Sequence, residues 1–461
     1  MSMGTLAALA KTLGARLHGP DAAFDSVSTD TRSLEPGQLF FALKGARSDG
    51  VAFVAEAARR GAVGAVVSTH VPGTVPQVQV PDTRIALGQF ARAWRQQFSI
   101  PLVGITGSNG KTTVKEMVAS ILRAQAGCDD AVLVTWGNLN NEVGLPVTLL
   151  WLRRTHRAAV IEMGAARRGD IAYLAEIAAP TVAVVTNAGR AHLAGFGSVE
   201  EVAQTKGEIF AALAPGGTAV INRDDRFFPV WWDRSAGRRR ITFGLHENAD
   251  FRAIDVSYDG GPAGAGMSFR LVTPDGSWPV RLAMAGQHNV LNALAAAAAA
   301  TAAGAPPDAV AAGLETMRNV RGRLRQVTGQ RGCTVFDDTY NANPGSVRAA
   351  IDYLASLPGE RVLVLGDMAE LGPQSTALHR EMGEYARHAR IDGLLCTGRE
   401  SRAAAQAFGA KAEWHASRPA LIAALQGRLH PGLVVLVKGS RCMAMEDIVH
   451  ALAAEPQAQG D

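Results

Sequence analysis

Apolar runs of strand length recur along the chain, and each is followed by a stretch whose apolar positions fall at helical spacing. In the middle of the sequence these runs are LVGIT (102–106), AAVIEMG (158–164), TVAVVTN (181–187) and TAVIN (218–222). Continuous Val/Ile/Ala runs suit strands covered on both faces, and their alternation with helices predicts a largely parallel sheet with helices on either side. Val114, Met117, Val118, Ile121 and Leu122 mark one helix. Val199, Val202, Ala203, Ile209, Phe210 and Leu213 mark another, opened by a capping-box sequence, Ser198 to Glu201. Mixed short β segments (241–286) and an alanine-dense helix (293–305) complete this unit. Ahead of it, QLFFALKG (38–45) and GAVGAVVS (61–68) read as strands around a helix near 52–60, closed by the Pro- and Val-rich run VPGTVPQVQVPD (71–82). After an arginine-dense connector, RNVRGRLRQ (318–326), the strands TVFDD, RVLVLGD, GLLCTG and LVVLVKG repeat the α/β logic. The pattern predicts an α/β protein of three domains, 1–82, 83–318 and 319–461, which 461 residues can supply with separate cores.

Composition narrows the class. Hydrophobic residues make up 47% and charged residues 19%, the balance of a soluble globular enzyme, and the formal charge of +4 with short, scattered basic clusters argues against nucleic acid as a partner. Cys128, Cys333, Cys396 and Cys442 stand far apart with no Cys-x-x-Cys pair, which predicts a reduced, cytoplasmic chain without structural zinc. The N-terminal MSMGTLAALAKTLGARL lacks the apolar core and cleavage site of a signal segment, and the alanine run is broken by Thr301 and Gly304, so no membrane insertion is expected. Nothing in the chain calls for an assembly, and a monomer is compatible with it.

The chemistry begins at residues 102–125, where a buried strand, a glycine-rich turn ending in Gly-Lys-Thr-Thr and an amphipathic helix follow one another. This arrangement cradles a nucleoside triphosphate: N–H groups of the Gly107–Gly110 turn (Gly107, Ser108, Asn109, Gly110) can point into one concavity, Lys111 can reach the β and γ phosphates, and the Thr112 hydroxyl, followed by Thr113, can sit on Mg²⁺. The loop is a variant, since Ile105 stands where a strict G-x-x-x-x-G-K-T has glycine. Glu162 ends its strand at the sheet edge where this loop opens and suits Mg²⁺ bound across the phosphates; a carboxylate capping a nearby helix is the other reading. His192 follows another strand end. Lys206 falls on the apolar stripe of the helix after Ser198, where desolvation favours a neutral, nucleophilic amine able to take up CO₂ as a carbamate; snorkelling, or pairing with a carboxylate, is the alternative. GNLNN (137–141) and FDDTYNANPG (336–345) are dense in short polar side chains, as either a binding loop or Asx-turn chemistry requires.

Together these residues resemble the Mur ligases, ATP-dependent amide-forming enzymes of peptidoglycan precursor synthesis, across all three domains. GNLNNEVGLPVTLL (137–150), DDTYNANPGS (337–346), LGDMAELG (365–372) and VKGSR (437–441) resemble the branch that adds D-alanyl-D-alanine to UDP-N-acetylmuramoyl-tripeptide, and the Asp-Asn-Pro-Arg motif of the third-residue-adding branch is absent. The resemblance implies a central P-loop ATPase-type, mostly parallel sheet flanked by an N-terminal α/β substrate domain and a C-terminal Rossmann-like α/β domain. It implies ATP on residues 107–113, Asn289 and Asn292 at the adenine, and Arg323 and Asp337 at phosphate and ribose. It further implies one Mg²⁺ at Thr112 and Glu162, a second cation at His192 and carbamylated Lys206, and the UDP-muramoyl peptide at Thr31, Arg32, Asn138, Asn140 and Asn141. STDTR (28–32) and FFALKGARSDG (40–50) resemble uridine-nucleotide segments, although Val51 and Ala52 stand where the family commonly has His-Asp. The rival enzymes are the diaminopimelate- or lysine-adding Mur ligase and folylpolyglutamate synthetase, and GNLNN with DDTYNANP argues against both. A P-loop motor or GTP-binding switch would share only the loop, and a GTP reader would usually carry Asn-Lys-x-Asp, which is absent. With ATP contacts divided between 107–113 and residues 323 and 337, the chain is expected to be held open without ligand and to close when ATP and the UDP-peptide bind.

Overall fold

The computed structural model describes residues 2–45, 49–72, 74–259, 266–318 and 320–454; residues 46–48 of the expected uridine segment lie outside them. Among the described residues three main sheets form, one for each predicted unit. The first has five strands in the order Arg16–His18, Gln77–Gln79, Gly64–Val67, Gln38–Phe41, Ser26–Ser28, parallel except for the first pair.

The central sheet has nine strands. Val132–Val134, Ala158–Glu162, Leu102–Thr106, Val182–Val185, Thr218–Asn222, Arg239–Gly244 and Phe251–Asp259 run parallel, and Gly266–Thr273 and Gly276–Leu282 add an antiparallel margin. Its strands are apolar throughout because each face has its own core. Ala159, Ile161, Ala183 and Val185 point into one; Ala158, Val160, Val182 and Val184 point into the other with the helix Lys111–Ala126 and the alanine-rich helix Gln287–Ala302. The alanines predicted to pack are fully buried from Ala293 to Ala300, and no helix among the described residues is long and apolar enough to cross a membrane. The first of these cores is continuous with that of the N-terminal sheet through Leu6, Phe41 and Leu87. The helix Thr83–Arg95 joins the two, packing on Leu6–Leu13, Gly144–Leu150 and Asp170–Ala178.

The third sheet, ordered Arg325–Thr328, Thr334–Asp338, Leu433–Lys438, Glu360–Leu365, Gly393–Thr397, Ala412–His415, is parallel except at its first pair. Part of the arginine-dense segment expected as a connector is thus an edge strand. It pairs with Thr334–Asp338, and its exposed Arg325, Gln326 and Thr328 conceal it in a hydrophobicity pattern.

Candidate active site

The carboxyl ends of the central strands and the facing edge of the third sheet enclose a cleft of about 1060 Å³. The phosphate loop lies at its floor. Gly107 and Gly110 both have positive φ (146° and 80°), and a Cβ on them would collide with Thr186 and Asn292, so the loop can take this path only with glycine. Asn187 fastens it from the neighbouring strand end: its carbonyl accepts from Ser108 N at 3.0 Å and its Oδ1 accepts from Asn109 N at 2.9 Å. These two N–H groups, expected to point at phosphate, are therefore engaged within the protein. The first-turn N–H groups of the helix starting at Lys111 have no i−4 partner and no side-chain cap, and Gly110, Lys111 and Thr112 line the cleft. Lys111 Nζ donates to Gly107 O at 2.7 Å; burial draws its ammonium down, with the Glu162 carboxylate opposing.

Glu162 is 2% exposed and does not cap a helix. Its Oε2 accepts from the Thr112 hydroxyl at 2.9 Å and its Oε1 from Asn140 Nδ2 at 2.8 Å, so one carboxylate ties the phosphate loop to the GNLNN loop. Asn138 and Asn141 line the same cleft, and Asn141 also makes the expected Asx turn, accepting from Gly144 N at 2.9 Å. His192 has a left-handed backbone (φ 53°) and its Nδ1 abuts the Glu370 carboxylate of the third unit. Burial lowers its pKa and Glu370 opposes.

Lys206 lies on the helix Val199–Ala211, 2% exposed, with Nζ 5.7 Å from the Phe196 ring centroid. It neither snorkels nor forms an ion pair with any described carboxylate. Burial, reinforced by Lys111, brings its pKa down to about 7. Among the described residues no three of His, Cys, Asp and Glu cluster as a metal cage. Thr112 with Glu162 is instead the sparse oxygen set that suits Mg²⁺ held jointly with phosphates.

The third unit reaches the loop directly. Arg323 Nη2 donates to Thr112 Oγ1 at 3.2 Å, Asn343 Nδ2 donates to Asn109 Oδ1 at 2.7 Å, and Glu381 bridges Arg190 at 2.9 Å and Arg348 at 2.6 Å. The second and third units are thus in contact in this structure rather than open. Asn343 also heads the helix Pro344–Ala355 in a capping box with Ser346, which bears out the turn reading of that segment. A second cavity of about 250 Å³ lies beside the loop, lined by Asn289, Asn292, Thr113, His288, Phe243, Arg323 and Asp338.

Gly107 and Lys206 line neither cavity, and three further predicted residues stand elsewhere. Thr31 and Arg32 are outside the cleft lining, and Arg32 is bound to Asp30 at 2.6 Å on an exposed surface. Asp337 lines neither cavity: its carboxylate accepts from Gly322 N at 3.1 Å and from the Thr339 hydroxyl at 2.6 Å, fixing the turn before Arg323, while its neighbour Asp338 faces the second cavity and pairs with Lys438 at 2.6 Å. Asn187, Glu370 and Asn343 do work the sequence reading had not given them. Asn187 was visible as a polar strand end; the other two act through approaches between units, which no local pattern encodes.

Family models for the "Mur ligase family, catalytic domain", the "Mur ligase middle domain" and the "Mur ligase, glutamate ligase domain" match residues 23–95, 105–300 and 322–441. The chain belongs to the Mur ligase family. The UDP-N-acetylmuramoyl-tripeptide–D-alanyl-D-alanine ligase of Escherichia coli is 44% identical to this Mur ligase over 97% of this chain and 98% of its own. Its counterpart in Bacillus subtilis is 34% identical over 93% of each chain. Among solved structures, MurF from Acinetobacter baumannii superposes with a TM-score of 0.90 at 35% identity, covering 96% of this chain and 97% of that one. MurF from Thermotoga maritima, solved in complex with ADP, gives 0.82 at 30% identity over 92% and 96%. Folylpolyglutamate synthase from Mycobacterium tuberculosis shares the fold, with a TM-score of 0.65 at 19% identity over 81% of this chain and 96% of that one.

Proposed function

We propose that this chain is an ATP-dependent amide ligase that joins D-alanyl-D-alanine to UDP-N-acetylmuramoyl-tripeptide, giving the pentapeptide precursor of peptidoglycan. The observation that carries the reading is Glu162, where the nucleotide loop (Thr112) and the GNLNN loop (Asn140) meet on one buried carboxylate, within a cleft walled by all three units. The near full-length likeness to ligases of that name supports the substrate pair. Within this reading the domains are 1–82 for the UDP substrate, 83–318 for ATP and 319–461 for the closing face, each built around one sheet.

A free carboxylate cannot expel hydroxide to make an amide, so it must first be activated. The tripeptide's terminal carboxylate oxygen attacks the γ-phosphorus and ADP leaves; the dipeptide amine then attacks the acyl carbon and phosphate leaves. Lys111 and Arg323 offset the charge that spreads over the transferring oxygens, and the first-turn N–H groups from Gly110 onward hold them. Asn138, Asn140 and Asn141 orient the peptide, and closure of the third unit excludes water that would hydrolyse the acyl phosphate. Thr112 and Glu162 would hold Mg²⁺, which supplies positive charge to the β and γ oxygens. His192 and Lys206 fit a second cation if the neutral Lys206 amine takes CO₂, releasing a proton and leaving an anionic carbamate oxygen. That residue is buried, unpaired and near neutrality, as such chemistry requires.

The test is phosphate release by the purified chain with ATP, Mg²⁺, UDP-tripeptide and D-alanyl-D-alanine, each omitted in turn, with the product identified by mass. Turnover should need all four. ATP hydrolysis independent of both acceptors would indicate a motor or switch instead.

A further inference from the structure

The phosphate-loop helix Lys111–Ala126 carries a second lysine, Lys115, about one turn beyond Lys111. The ligation chemistry does not use it, yet its side chain is only 2% exposed. An ammonium taken out of water is costly unless its donors are engaged. Lys115 Nζ donates to Thr135 O at 2.9 Å and pairs with Glu116 Oε1 at 2.8 Å. Glu116 itself reaches solvent, so that pair needs no burial; the inward partner is the Thr135 carbonyl. Thr135 is the first residue past the edge strand Val132–Val134 and the root of the loop that carries Asn138, Asn140 and Asn141. It is buried and fixed at three atoms: its N donates to Val160 O at 3.0 Å, its Oγ1 accepts from Glu162 N at 2.9 Å, and its carbonyl takes the Lys115 ammonium. The far end of the loop is held at Asn140, whose Nδ2 donates to Glu162 Oε1 and whose carbonyl accepts from Gly164 N, each at 2.8 Å. Between these anchors residues 136–138 are exposed and Gly137 has φ 54°, so the path of the loop depends on its ends.

We propose that Lys115 is a positioning residue: it ties the root of the GNLNN loop to the phosphate-loop helix and so sets the asparagines that orient the peptide against the phosphates. The ligand of that loop is taken from the ligase reading given above; the anchoring stands on the contacts alone. An apolar side chain of similar length fills the same space without burying a charge, but it leaves the Thr135 carbonyl unpaired and the root of the loop free to shift. The effect therefore falls on the peptide substrate and spares the nucleotide, although Lys115 lies on the nucleotide's own helix.

The experiment joins amide hydrogen exchange to kinetics on the full chain. In Lys115→Met, exchange at residues 136–141 should quicken about ten-fold or more while residues 107–113 stay near the parent. The KM for UDP-tripeptide should rise about five- to fifty-fold, with the KM for ATP and the ADP affinity by calorimetry within about two-fold. The double variant Lys115→Met, Asn140→Ala should cost little more than the worse single one, because both act through one loop. Glu116→Gln keeps the bond to Thr135 and should leave exchange at 136–141 and the KM for UDP-tripeptide within about two-fold of the parent. If Lys115→Met does not fold, Lys115→Gln, too short to keep the carbonyl bond, takes the same measurements. The proposal is overturned if exchange at 136–141 is unchanged, if 107–113 loosens equally and ADP affinity falls with it, if the two single losses multiply, or if Glu116→Gln reproduces the effect. If the parent chain does not ligate, the ligase reading fails, and the exchange result still decides the anchoring.

Discussion

The Thr112 hydroxyl donates to Glu162 Oε2 across 2.9 Å, joining the first turn of the phosphate-loop helix to the end of the adjacent strand Ala158–Glu162. Both residues are buried, at 8% and 2% exposure, and they sit where the parallel register sets Glu162 opposite Ile105, two residues before the loop glycine Gly107. The contact places a carboxylate and a hydroxyl at the phosphate end of the site before any nucleotide arrives. Glu162→Gln keeps the shape and one acceptor but removes the charge. We expect kcat to fall at least about a hundred-fold, with little change in thermal unfolding, and the Mg²⁺ concentration for half-maximal rate to rise. Kinetics titrated in Mg²⁺ will check this.

Lys111→Ala removes the ammonium proposed to offset charge on the phosphates, held here by Gly107 O at 2.7 Å. Ligation should drop by about 10²–10³ in kcat while circular dichroism and the unfolding midpoint stay near those of the parent. Retention of more than about a tenth of the rate would reject the nucleotide-site assignment.

Gly110→Ala introduces a side chain at φ 80° against Asn292. The strain should cost about 1–3 kcal/mol of stability and displace the loop, weakening nucleotide binding more than it lowers the melting temperature. Calorimetric titration with ADP beside thermal unfolding separates the two effects.

Lys206 gives a pH signature. With its pKa lowered from 10.5 to about 7 in the folded chain, the unfolded state binds more protons between those values. Stability should therefore rise with pH from about 7 toward 10, by at most about 1.4 kcal/mol per unit from this group. Lys206→Met should remove that slope in denaturant titrations. For activity, Lys206→Arg should be as poor as Lys206→Ala, since neither forms a carbamate; acetate should partly rescue the alanine variant, and CO₂ depletion should slow the parent. Full activity of Lys206→Arg would reject the carbamate.

Asn343 separates capping from domain contact. Asn343→Ser preserves an N-cap side chain but cannot reach Asn109 Oδ1 in the same way, so kcat should fall several-fold at nearly unchanged stability. Asn343→Ala should lose about 1 kcal/mol as well. If Asn343→Ser ligates at the parent's rate, the bond to Asn109 has no part in closure.

What the sequence determined by itself is what local chemistry can encode. The strand–glycine–helix run 102–125 had to make a phosphate loop because apolar strand, positive-φ glycines and an amphipathic helix each constrain only their neighbours. The place of Lys206 on an apolar stripe was legible for the same reason, whereas its full burial without an ion pair, rather than snorkelling, was decided by the packing. The family, and with it the expected ATP and acceptor substrates, was legible in motifs such as GNLNN and DDTYNANP. Tertiary structure decided what depends on approach between distant segments: that Asn187 uses the Ser108 and Asn109 N–H groups, that Glu370 meets His192, and that Asn343 reaches Asn109 across 234 positions. It also turned Asp337 to its own connector and Asp338 to the second cavity, because successive side chains on a strand point to opposite faces and only the packing of the sheet tells which face holds the site.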